Sequence, residues 1–117
     1  MSEPEELRAR TKRFAVRIVK LCDALPNRPA GWIVAKQILR SGTSVAANYR
    51  AACRSRSKAE FIAKLCIVVE EADETLYWLE LLSETGLLPA SKLQSLIDEA
   101  NQLTSIFVAA RKTSRSN

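Results

Sequence analysis

Three observations predict an all-α fold for this sequence, an antiparallel up-down-up-down bundle of four helices. Apolar residues recur at alternating spacings of three and four along four long stretches. Only 3 Gly and 4 Pro occur in 117 residues and aromatic residues make up 6%, which disfavours sheets built from β-branched and aromatic runs. Hydrophobic residues reach 47%, enough for one core without staples, so residues 1–117 form a single domain.

The first helix spans about residues 4–25. Leu7, Phe14, Ile18, Leu21 and Leu25 mark its seam, and Thr11 fills the gap in the rhythm. Glu3, Glu5 and Glu6 fall in the first turn, where carboxylates meet the positive end of the helix dipole, and Pro26 with Pro29 stops the helix. The second spans about 30–53 on Ala35, Ile38, Gly42, Val45, Tyr49 and Ala52. Its centre, Ser41 to Ser44, is a poor helix former, since Gly costs about 1 kcal/mol against Ala and hydroxyls compete for backbone groups. A kink or a close helix approach is expected there. Ser57-Lys58-Ala59-Glu60 has the form of a capping box, in which Glu60 reaches back to the cap residue. It opens a third helix over about 58–85, with Phe61, Leu65, Val68, Ala72, Leu79 and Leu82 on one stripe and Gly86 ending it in a left-handed conformation. The fourth spans about 90–112 on Leu93, Ile97, Ala100, Leu103, Phe107 and Ala110, with Pro89 in its first turn or Ser91 as cap; residues 113–117 read as frayed.

The third helix is apolar on more than one side, with Ile62, Cys66 and Val69 on one flank and Ile67, Tyr77 and Trp78 on another. It is either the innermost helix or one whose outer face packs on another subunit, and for a domain this small the second is favoured. Ile67, Tyr77 and Trp78 are the candidate contact residues of a homo-oligomer.

The net charge of +5 is strongly segregated. Pro26 to Lys58 carries seven basic residues and no acidic one, whereas Ala59 to Leu88 carries one basic and seven acidic residues. One reading is that the second and third helices compensate each other, within a chain or between copies. The other is that Arg50, Arg54, Arg56 and Lys58, clustered at one end of the bundle, contact phosphates with help from Arg13, Arg17 and Lys20 and from Arg8, Arg10 and Lys12 on the first helix.

Catalysis is disfavoured. There is no His, so general acid–base work and nucleophile activation lose their commonest partner. Glu70 and Glu74 lie one turn apart as in carboxylate metal sites, but no second acidic helix faces them, and a solvated or Arg-paired face is expected. No metal and no cofactor is expected. Cys22, Cys53 and Cys66 are widely spaced among apolar neighbours, as reduced core thiols of a cytoplasmic protein are. The start is acidic rather than signal-like, and no uncharged run has the length of a membrane span. On the second helix Arg40, Ser44 and Asn48 recur every fourth residue, and Asn48 is expected to meet Glu70 or Glu74 in a partly buried polar network that sets register.

Arg40-Ser41-Gly42-Thr43-Ser44-Val45-Ala46-Ala47-Asn48-Tyr49, then Ser57-Lys58-Ala59-Glu60-Phe61, then Glu70-Glu71-Ala72-Asp73-Glu74-Thr75 followed by Tyr77-Trp78-Leu79, resembles a family of bacterial four-helix-bundle proteins encoded in intervening sequences of large-subunit ribosomal RNA genes. The resemblance implies a homopentameric ring without enzymatic activity. The family is also similar to the accessory protein of diversity-generating retroelements, a basic pentameric barrel that binds nucleic acid and a reverse transcriptase, which implies RNA or DNA, and a reverse transcriptase, as partners. Where family members carry Ile-Pro or Ile-Gly before Ala-Asn, this chain has Val45-Ala46, which implies a straighter second helix. The expected function is thus a non-enzymatic oligomer that binds nucleic acid through basic patches. The competing reading is a structural module docking an acidic or helical partner protein.

Overall fold

The computed structural model describes residues 2–116, and the structural statements below concern these residues. Four helices follow one another, α1 (Glu3–Asp23), α2 (Pro29–Cys53), α3 (Lys58–Thr85) and α4 (Ala90–Ser116). No strand occurs among the described residues. Short connections force sequence neighbours to run antiparallel, giving a rod of 46 × 24 × 20 Å.

The start of α1 follows from its first turn. Ser2 Oγ accepts the Glu5 N–H at 3.3 Å, and Glu3, Glu5 and Glu6 lie at the positive end of the helix dipole. The helix stops at Asp23, two residues before the expected boundary. Pro26 disfavours helical geometry at Leu25, and the Ala24 N–H closes onto the Leu21 carbonyl at 3.0 Å. Thr11 occupies its gap in the apolar rhythm fully buried, because its hydroxyl donates to the Leu7 carbonyl at 2.8 Å.

Through Ser41 to Ser44 α2 is unbroken. The poor helix formers there serve a close approach: a Cβ on Gly42 would lie 2.8 Å from Cγ2 and 2.9 Å from Cγ1 of Ile18. α3 opens on Ser57, whose Oγ accepts the Glu60 N–H at 3.1 Å. The Glu60 carboxylate reaches past the cap to the Arg56 N–H at 3.3 Å, not to the Ser57 N–H as the motif predicts. Gly86 ends α3 at φ 70°, a region costly for a side chain.

α4 begins directly after Pro89, which leaves Ser91 inside the first turn. Its other end corrects the expected boundary at 112, for the helix continues to Ser116. In the stretch expected to fray, hydroxyls bond back along the helix instead, Ser114 to the Ala110 carbonyl at 2.9 Å and Ser116 to that of Lys112 at 3.0 Å. Arg115 reaches α3, its Nη2 3.3 Å from Cys66 Sγ.

α3 packs along both α2 and α4, α1 packs along α2, and α1 meets α4 over only a short stretch. α2 and α3 are therefore both inner helices, each packed along two neighbours within the chain. Between α2 and α3 the core contains one polar contact, the hydroxyls of Ser41 and Thr75 at 2.9 Å, both residues fully buried. The cysteines are free but only half-buried, not core thiols in full. No helix is long and apolar enough to cross a membrane.

Candidate nucleic-acid interface

Antiparallel packing brings the start of α1 beside the end of α2, where Pro4, Arg8, Tyr49, Cys53 and Phe61 line one cavity of about 340 Å³. Burial, with the Cys53 thiol close by, pushes the Tyr49 phenol well above its usual range, so it stays neutral. Its ring meets Phe107 with centroids 5.0 Å apart, which marks it as a core residue with a polar tip. Beside this end, the outer groove between α1 and α2 measures about 520 Å³. Its floor is Ala9, Ala46 and Ala47, and its rim is Arg8, Lys12, Thr43 and Arg50. Small side chains let the two helices approach and leave three long cationic side chains standing on either side of a shallow trough. Arg8, Lys12 and Arg50 are exposed, and among the described residues none of them is ion-paired.

The structure divides the predicted basic set. Arg50 joins Arg8 and Lys12 at the groove, while Arg54 and Arg56 are exposed on the α2–α3 connection and Lys58 is exposed at the first position of α3. Arg13 and Arg17 lie further round α1 toward α4: Arg13 lines a cavity of about 640 Å³ with Glu3, Glu6 and Ile106, Arg17 Nη2 donates to Ser95 Oγ at 2.8 Å, and both border Lys12 along an outer hollow over Ala9 and Val16. Between them Arg10 clasps Glu99 with two hydrogen bonds, at 2.8 and 2.7 Å, and Gln102 with a third at 2.8 Å. The Arg10 bond holds the Glu99 carboxyl below its ordinary range, and Arg17 and Arg13 add to this. Lys20 lies in the last turn of α1, about 18 Å along the helix from Arg8. The groove thus depends on Arg8 and Lys12, which the sequence offered only as helpers. Their four-residue spacing puts them on one face, but which face looks toward α2 is decided by packing.

The predicted polar network also divides. Asn48 does not reach α3, because its Nδ2 donates back to the Ser44 carbonyl at 3.0 Å and to Ser44 Oγ at 2.7 Å. That local bond satisfies the amide without a partner helix. Glu70 points to solvent. Arg40 makes the crossing, paired with Glu71 at 3.1 Å and with Glu74, and Glu74 also accepts the Trp78 indole N–H at 3.0 Å. Of the basic residues on α2, Arg40 is the one paired with α3 among the described residues, so charge compensation within the chain is confined to that crossing.

The family model for 23S rRNA-intervening sequence proteins matches residues 5–109. The chain belongs to that family. Its fold resembles the crystal structure of a protein of unknown function of the S23 ribosomal protein family from Bacteroides thetaiotaomicron VPI-5482, with a TM-score of 0.87 and 38% identity over 95% of this chain and 99% of that one. No curated protein matches the sequence.

In this member of the 23S rRNA-intervening sequence protein family, the residues expected to meet another subunit are unevenly exposed. Ile67 and Trp78 are half-buried, Trp78 packing against the core, whereas Tyr77 is 55% exposed with its ring edge against Trp78. Most of the exposed large apolar surface lies elsewhere, at Val16 and Val19 on α1 and at Trp32, Ile33 and Leu39 on α2. These residues fall outside the tidy seven-residue rhythm, and the sequence signal for them was simply their departure from it.

Proposed function

We propose that the protein is a non-catalytic, homo-oligomeric nucleic-acid-binding member of the 23S rRNA-intervening sequence protein family, which holds phosphates in the α1–α2 groove. The observation that carries this is the trough of Ala9, Ala46 and Ala47 flanked by Arg8, Lys12 and Arg50. Cations without carboxylate partners, set on a surface that admits close approach, favour a polyanion whose counterions are released on binding. The family's link to ribosomal RNA intervening sequences is in keeping with this reading.

Fluorescence anisotropy of labelled single-stranded and duplex oligonucleotides over a salt series tests it. Affinity is expected to fall steeply with salt, and the triple variant Arg8→Ala, Lys12→Ala, Arg50→Ala to lower the log–log slope by about 2 to 3. Salt-insensitive binding, or a triple variant that binds as the parent does, would overturn the groove reading in favour of a module that docks an acidic protein.

Self-assembly is the second part of the proposal, centred on exposed Tyr77 and on Ile33, which shares with Gln37 and Arg40 the α2 stripe beside α3. Five copies is the number the family resemblance implies. Light scattering is expected to show an oligomer that Tyr77→Glu converts to smaller species. A parent protein that is monomeric at micromolar concentration would remove this part.

A further inference from the structure

Trp32 is 57% exposed, yet it is held in place. Its indole N–H donates to Asn27 Oδ1 at 2.7 Å, and its backbone N–H to the Arg28 carbonyl at 3.0 Å. The turn that carries Asn27 is bounded by Pro26 and Pro29, whose rings restrict the backbone. The polar edge of the indole is therefore occupied and its orientation set. Among the described residues, ring contacts join Tyr49 to Phe107 and Tyr77 to Trp78, and none involves Trp32.

The surroundings of Trp32 are cationic. Arg28 lies four residues before it and Lys36 four after, both exposed, and among the described residues neither is ion-paired. Spacings of four, three, four and seven put Trp32, Lys36, Leu39, Thr43 and Arg50 on one face of α2. Thr43 and Arg50 of that face rim the groove with Arg8 and Lys12. A fixed aromatic plate thus stands at one end of the basic face and a cluster of cations at the other, about 27 Å apart along the helix.

We propose that Trp32 is a stacking platform for an unpaired base, so that the α1–α2 face takes single-stranded nucleic acid in preference to duplex. This rests on the groove being a phosphate site. A duplex keeps its base faces stacked on one another and offers an indole only sugar and phosphate. A single strand presents both a backbone for the cations and free π-faces for the ring, and stacking is tolerant of sequence because every base has such a face. Fixing the indole in advance removes part of the ordering cost of binding.

Anisotropy with an unstructured single strand and a duplex containing the same sequence, at one salt concentration, tests it on the full chain. Trp32→Ala is expected to weaken single-strand binding roughly 5- to 100-fold. It should leave duplex affinity and the salt slope unchanged, since no charge is lost. Trp32→Phe keeps an aromatic face and recovers much of the single-strand affinity. The parent's tryptophan fluorescence is quenched by the single strand, and that quenching is lost in Trp32→Phe. If Trp32→Ala binds the single strand as tightly as the parent while both keep their salt dependence, the stacking proposal falls and the groove reading stands. If the parent shows no salt-dependent binding to either form, the groove reading falls and takes stacking with it. A Trp32→Ala chain that changes its assembly state in light scattering, with single-strand binding intact, assigns the ring to a contact between copies and overturns the proposal.

Discussion

In its buried seams α2 meets α1 and α3 by shape, with the Arg40 pairs to Glu71 and Glu74 lying outside them, whereas α1 and α4 are joined by charge. Ile18 lies on the bare backbone of Gly42, and the hydroxyls of Ser41 and Thr75 meet in full burial one residue away. On the opposite side of α1, Arg10 holds Glu99 and Gln102 while Arg17 holds Ser95, at partly exposed positions where cavities open on the surface. Buried close packing resists any change in volume but is indifferent to salt. A partly exposed ion pair tolerates substitution and responds to solvent conditions. The difference predicts where the molecule is rigid.

Gly42→Leu is the harshest test of the rigid side. Four extra carbons have to displace Ile18, a fully buried β-branched residue, and urea unfolding is expected to show a loss of about 3 kcal/mol. A variant as stable as the parent would mean that the α1–α2 seam has slack. Thr75→Val keeps the shape and deletes one hydroxyl of the buried pair, and should cost about 1 to 2 kcal/mol. Here a loss near zero would show that Ser41 is satisfied by the Ile38 carbonyl, 3.4 Å away, alone.

On the charged side, Glu99→Gln should cost about 1 kcal/mol or less at neutral pH and low salt, and less again in high salt. Because the folded chain holds this carboxyl below its ordinary value of 4.5, the ionised form is the one the fold favours. Its contribution is complete above that value and disappears as pH falls through the lower folded one. The variant's stability should therefore decline less than the parent's on acidification, and parallel declines would show that the clasp contributes nothing. The smallest effect is expected for Arg13→Ala and Arg17→Ala in the binding titration, a change within about twofold, since both side chains serve the α4 edge rather than the groove. A large loss from either would move the nucleic-acid path to that edge.

Much of the fold was legible because it depends on neighbours in the chain. The Ser57 cap, the left-handed Gly86, the Thr11 gap and the close approach at Gly42 each follow from residue types within a turn or two. Local rules also misled where two local partners competed. Asn48 chose Ser44 over a carboxylate on α3, and the serines near the C-terminus bonded back to carbonyls and prolonged α4. Of the candidate site, the basic character and the end of the bundle were readable, but its members were not. Arg13, Arg17 and Lys20 are as basic as Arg8 and Lys12, and only the rotation of α1 against α2 and α4 separates them.

The amino-acid sequence by itself determined four helices, their order, nearly all of their ends and the segregation of charge between α2 and α3, because spacing, caps and composition act over a few residues. Tertiary structure decided that α2 and α3 sit inside, that Arg40 rather than Asn48 crosses between them, that α1 is clasped to α4 by Arg10, and that Trp32 stands exposed on the same face as the cationic groove. These depend on how each helix is turned about its axis. That rotation is fixed by the fit of side chains from different parts of the chain, which no local pattern contains.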